Sequence, residues 1–122
     1  MTSLRLLVLI TVALTVSACA GQRLVATVTK PSIPQTEAEC GARGGNWTTL
    51  GLPYPGKAKT CDLKTTDSGK VCSNSSECQG SCIAPDGVAS GLKTLGKCSA
   101  YVSNFGNVNL VEHGKVELLN VE

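Results

Sequence analysis

The chain has 122 residues, with eleven Lys and Arg against nine Asp and Glu, a single His, seven Cys and four aromatic residues, Trp47, Tyr54, Tyr101 and Phe105. That length suits one domain plus a tether. The basic residues are scattered and the net charge is close to zero, so no block tracks a phosphate backbone and nucleic-acid binding has no support. So few aromatics imply a thin apolar core, in which disulfides make up the difference at about 2–4 kcal/mol each.

Residues 1–18 have the three parts of an export signal. Arg5 supplies a positive start, residues 6–16 form an apolar run broken only by Thr11 and Thr15, and Ser17 and Ala18 are small. The run falls short of the about 20 apolar residues that cross a bilayer. Val16-Ser17-Ala18-Cys19 resembles the lipobox of bacterial lipoprotein precursors: an aliphatic residue, a small residue, Gly or Ala, then Cys. The resemblance implies that Cys19 is diacylated, that the leader is cut just before it, and that two fatty-acyl chains anchor the protein to the lipid bilayer. Ala20 stands where an Asp would retain a Gram-negative lipoprotein in the inner membrane, which implies the outer membrane, facing the periplasm or the cell surface. An ordinary secretory signal is the alternative reading, since Ala18-Cys19-Ala20 also fits small-x-small and would release a chain starting at Gly21.

Without Cys19 six cysteines remain, Cys40, Cys61, Cys72, Cys78, Cys82 and Cys98. An even set in an exported chain implies three disulfides. Six cysteines allow fifteen pairings; Cys40 with Cys61 is the pairing expected, and the others stay open. Removal of residues 1–18 from 122 leaves 104, with ten basic and nine acidic side chains.

Residues 19–35 read as the lipidated N-terminus and a flexible tether, since Pro31 and Pro34 keep the preceding residues extended. Leu24-Val25-Ala26-Thr27-Val28 as an edge strand is a lesser alternative. The stapled domain then occupies residues 36–122. Thr36-Glu37-Ala38-Glu39 is a capping box that predicts a short helix holding Cys40 and stopped by Gly44 and Gly45. Residues 46–50 and 57–63 predict a hairpin with Trp47 over the disulfides. Asn74-Ser75-Ser76-Glu77 predicts one helical turn around Cys78, broken by Gly80. Pro85-Asp86-Gly87 predicts a turn, and residues 97–102 a strand. Residues 109–119 predict a hairpin centred on His113-Gly114. Gly-Lys recurs at 56–57, 69–70, 96–97 and 114–115 and reads as repeated turn chemistry. The expected fold is small, disulfide-rich and mostly β, with hairpins and one or two short helices.

From Glu39 onward the chain resembles a group of uncharacterised, cysteine-rich bacterial lipoproteins and secreted proteins. The resemblance is carried by Cys40-x3-Gly44-Gly45-x-Trp47, Cys61, Asp67-Ser68-Gly69-Lys70-x-Cys72, Cys78-x3-Cys82, Cys98 and Phe105-Gly106. It implies a scaffold and a location, and no activity. It also implies a further cysteine pair near the C-terminus, at places that hold Asn107 and Asn120 here.

Cys78-x3-Cys82 has the spacing of a zinc knuckle, but no second knuckle accompanies it and exported thiols oxidise; no metal or other cofactor is expected. His113 sits in an expected exposed turn, where Glu112 and Glu117 read as solvated charges, and no triad or phosphate loop accompanies it. The chain is therefore not expected to be an enzyme. The expected function is a non-catalytic interaction or structural module of the bacterial envelope, its protein partner unknown. The alternative is a disulfide-rich inhibitor of a protease or other hydrolase that offers Lys57 or Lys59 from the 52–59 loop. Asn46-Trp47-Thr48 and Asn74-Ser75-Ser76 match glycan acceptors and carry no weight in a bacterial chain.

Overall fold

A computed structural model describes residues 26–121 of the chain. The expected leader, the lipobox-like residues 16–19 and the expected acylation site Cys19 lie outside the described residues. Among those described, no helix is long and apolar enough to cross a membrane.

Thr36 caps helix α1 (Glu37–Ala42), its hydroxyl accepting from the Glu39 N–H at 3.3 Å, which satisfies one of the free donors of the first turn. Gly44, at φ 72°, ends the helix. The chain then enters β1 (Asn46–Thr48), which pairs antiparallel with β2 (Thr60–Asp62) and sets Trp47 opposite Cys61. The Cys40–Cys61 disulfide fastens α1 to this hairpin, as expected. Cys40, Cys61 and Leu63 make a small core, with Ile33, Trp47 and Val102 packed around it. Trp47 thus covers one bridge and not the other two.

The second sheet contains β3 (Val71–Cys72), β4 (Cys82–Ile83), β5 (Gly96–Cys98), β6 (Gly106–Glu112) and β7 (Lys115–Val121), in the order β3-β5-β4-β6-β7 with all neighbours antiparallel. Cys72 opposes Gly96 and Cys82 opposes Cys98, while Lys97 stands between Val71 and Ile83. Strand alternation therefore sends the cysteines to one face and Val71, Lys97 and Ile83 to the other. The Cys72–Cys82 and Cys78–Cys98 disulfides close the first face, together with Ala84, Val111 and Val116. A 3₁₀ turn (Ser75–Glu77), capped by Asn74 accepting from the Ser76 N–H at 2.9 Å, delivers Cys78 to this layer. The helical turn expected around Cys78 ends one residue before it.

Three of the four Gly-Lys pairs are turns, with Gly56, Gly69 and Gly114 at positive φ. Gly96 is different. It lies inside β5, where a Cβ would come 2.5 Å from the Ile83 carbonyl oxygen and 2.8 Å from the Cys82 sulfur. This glycine makes room for a disulfide, and the turn reading does not apply to it. Similarly, β5 ends at Cys98, short of the strand expected to reach residue 102.

The terminal hairpin turns at His113 (φ 50°) and Gly114 (φ 74°), both positive as a type I′ turn requires. Val111 and Val116 face each other and are buried to within 1 %. The outward backbone groups of Val116 bond to the 91–92 loop: its N–H to the Leu92 oxygen at 2.9 Å and its oxygen to the Gly91 N–H at 2.8 Å.

The segment expected as tether is engaged from Val28 onward. The Val28 N–H donates to the Ser76 oxygen at 2.8 Å. The Lys30 ammonium donates to the Ser75 and Cys78 oxygens, each at 2.9 Å, and to that of Gly80. Arg43 Nη1 reaches the Ser32 oxygen at 2.7 Å, and Pro34 is buried. The folded unit therefore reaches back at least to Val28. The cause is a loop whose carbonyls converge: one ammonium binds three acceptors, of which the Ser75 oxygen also accepts from the Cys78 N–H at 3.2 Å.

Asn107 and Asn120, the two places singled out by the resemblance, are cross-strand partners in β6 and β7. Because the Val116 backbone points away from β6, the pairs at 111–116, 109–118 and 107–120 are the non-hydrogen-bonded ones, whose side chains are closest. The N107C/N120C variant is expected to form a fourth disulfide on oxidation and gain about 2–3 kcal/mol against unfolding. Intact mass with and without reduction, followed by denaturant titration, checks both.

Candidate functional site

The sulfur layer comes first, because it positions everything else. The Sγ atoms of Cys72, Cys78 and Cys98 all lie within 4.8 Å of one another. As thiols they would be close enough to share a metal, but all are disulfide-bonded and buried, and a bridged sulfur is not a thiolate ligand. Cys78 and Cys82, the pair with knuckle spacing, bond to different partners.

With one face of the five-stranded sheet sealed by sulfur, the opposite face carries the exposed chemistry. Val71, Lys97 and Ile83 are consecutive across β3, β5 and β4. Val71 and Leu95 are 58 % and 56 % exposed. With Pro85 and Asp86 they border a groove of about 630 Å³ whose back wall is β5. Contiguous exposed apolar side chains on a small domain are the usual mark of a contact surface. Among the described residues, Lys97 is the one cation lining the groove and Asp86 the one anion. The arrangement offers apolar contact, an exposed ammonium for a carboxylate, and no nucleophile paired with a base.

The residues weighed for catalysis are separated. His113 is exposed at the hairpin turn, and its imidazole makes no hydrogen bond to a described residue. Glu112 is not simply solvated: its Oε2 accepts from the Ser75 N–H at 3.3 Å, which holds the turn loop to the hairpin. Lys57 of the 52–59 loop donates to the Leu52 oxygen at 2.7 Å and lies 5.1 Å above the Tyr54 ring. Lys59 is exposed.

A polar hub beside the sulfur layer holds the 73–80 loop in place. Glu77 Oε1 accepts from the Ser73 N–H at 2.9 Å and the Ser73 hydroxyl at 2.7 Å. Lys70 donates to the Glu77 carbonyl at 3.0 Å, and Asp67 Oδ2 accepts from the Gln79 N–H at 2.8 Å. Burial pushes the Lys30 ammonium below its ordinary range, with Asp67 and Glu112 opposing the shift. The Ser73 hydroxyl, then the neighbouring N–H groups and Lys70, hold the Glu77 carboxyl below its ordinary value of 4.5 despite partial burial. Sequence reasoning missed both the open face and the Lys30 anchor. Two-residue strands show no alternation to read, and a lone Lys ahead of Pro31 and Pro34 matches no motif.

No family model matches the chain, and no curated protein or solved structure gives a significant match to it.

The Glu77 hydrogen bonds predict a pH dependence. Its folded pKa is lowered, so its contribution to stability is complete above the unfolded value of about 4.5 and is lost as pH falls through the folded value. Asp62, raised by burial, acts with the opposite sign in both proteins and cancels from the comparison. Glu77→Gln is therefore expected to be less stable than the parent near neutrality, with the difference shrinking on acidification below the ordinary carboxylate range. Urea midpoints measured across that range check it; a pH-independent difference would contradict the assignment.

Proposed function

We propose that the chain is a lipoprotein of the bacterial cell envelope, anchored through acylated Cys19, whose domain is a non-catalytic binding module. The open sheet face is its contact surface, and the partner is an envelope protein that presents apolar side chains beside a carboxylate. The observation that carries this reading is the groove over Val71, Ile83 and Leu95, with Lys97 on its wall. A domain with so few apolar residues leaves two of its larger aliphatic side chains more than half exposed on one rigid surface. Rigid surfaces lose little conformational entropy on binding. The lipobox supports the anchor, and six bridged cysteines suit an oxidising compartment.

The inhibitor alternative gains less from the loop geometry. A substrate-like loop offers an extended backbone and a projecting side chain. Here the Lys57 N–H closes a turn onto the Tyr54 oxygen at 3.2 Å, and the Lys57 ammonium folds back onto Leu52.

Two measurements test the proposal on the chain expressed with its own leader. Mass spectrometry of the mature N-terminus is expected to show a diacylated Cys19; a free Gly21 amine or an unmodified Cys19 would sink the anchor. A photoreactive residue in place of Leu95 is expected to give a discrete cross-link to an envelope protein, weakened by Lys97→Glu. The same residue in place of Glu37, exposed on α1, is expected to give none. Equal adducts from both positions, or none from either, would contradict the open face as the contact surface.

A further inference from the structure

A second apolar surface lies at the far end of the terminal hairpin, and it involves a different partner. Two adjoining hollows share Leu52 and Phe105; one extends to Val121 and the other to Leu50 and Tyr54. Leu52 is 65 % exposed, Tyr54 61 % and Phe105 39 %. Two of the four aromatic residues in the whole chain are therefore on a loop-borne tip and contribute little to the core. Among the described residues the only charged one lining either hollow is Lys57, above the Tyr54 ring, and exposed Lys59 follows two residues later. Leu and Phe with Tyr and Lys at their margin is the composition that settles at a bilayer interface. The apolar bodies enter the acyl boundary, and the hydroxyl and ammonium groups stay among the phosphates.

We infer that this tip, Leu52, Tyr54 and Phe105 with Lys57 and Lys59, rests in the phospholipid headgroup region of the bilayer to which Cys19 anchors the chain. The inference deepens the proposed function and rests on its anchoring half. The bilayer is the favoured occupant because of reach. The first engaged residue, Val28, bonds to Ser76, and Ser75 bonds to Glu112 at the turn end of β6. The tip adjoins Gly106 at the other end of β6. Six residue steps along a strand span roughly 20 Å. From Cys19 to Val28 there are nine residue steps, which reach at most roughly 30–32 Å when extended. The connection is long enough to let the tip touch the membrane surface. It also confines the tip to within roughly 50 Å of the membrane, so a weak interfacial affinity suffices through effective concentration. With the tip seated, the open groove of the second sheet remains available to a protein.

The test uses the mature, membrane-extracted protein reconstituted in phosphatidylcholine vesicles that carry brominated acyl chains. Two variants, Tyr54→Trp and Leu95→Trp, each add an indole to the signal of Trp47. Unreduced mass confirms three disulfides in each. The Tyr54→Trp indole is expected to be quenched about twofold more in brominated than in plain vesicles, with a blue shift; the Leu95→Trp indole is expected to be insensitive. In the Leu52→Ser/Phe105→Ser background the quenching at position 54 is expected to disappear. If the protein floats with the vesicles but the two indoles respond alike, the tip contact is wrong and the anchor stands. If the parent does not float and Cys19 is unmodified, the anchoring reading fails, and the proximity on which this inference rests fails with it.

Discussion

Two disulfides lying side by side under very short strands are the constraint on which the larger sheet depends. β3 and β4 have two residues each and β5 has three. Strands of that length make few ladder bonds and bury too little side chain to hold register unaided. The Cys72–Cys82 and Cys78–Cys98 bridges cross exactly these strands and the turn between them, closing sequence separations of 10 and 20 residues. The sulfurs also occupy the space in which another fold would place leucines. Ala84, Val111 and Val116 complete the layer, and Gly96 lets β4 and β5 approach over it. The smaller sheet follows the same plan with the Cys40–Cys61 bridge.

This economy has a functional consequence. A sheet held covalently from one side needs no second layer on the other, so apolar side chains can stay exposed without loss of order. The Lys30 anchor extends the same logic to the described N-terminal segment, which it holds against the 75–80 loop; under the proposed anchoring at Cys19, this sets the upper limit on how far the domain stands from the bilayer. The proposed location and the architecture thus meet in a few hydrogen bonds at the 75–80 loop. The open face and the hairpin tip lie on surfaces where packing makes no demand on the residues present.

Local chemistry was legible in the sequence. The Thr36 cap, the Gly44 stop, the hairpin between residues 46 and 62 and the turn at His113-Gly114 each follow from residue types a few positions apart. The pairing of Cys40 with Cys61 was accessible because a helix and a hairpin flank it. What depended on register was not legible. Three cysteines within the eleven residues 72–82 can be joined in several ways, and the observed choice, Cys72 to Cys82 across the intervening β5 and Cys78 to Cys98, is one that no spacing rule encodes. The same register turns Gly96 from an apparent turn residue into a strand glycine and brings Val71, Lys97 and Ile83 together. Lys30 acts across a sequence separation of about fifty residues, beyond any motif.

Mapping the disulfides of the unreduced protein tests the sulfur layer most directly. Digestion should be carried out at acid pH, because sulfurs within 4.8 Å of each other would exchange readily once any thiolate formed. Peptides linked 40–61, 72–82 and 78–98 are expected, with no free thiol among these six. A 72–78 or 82–98 linkage, or free cysteines in the folded protein, would contradict this pairing. In that case the sealed face would not exist, and the open face opposite would lose its physical basis.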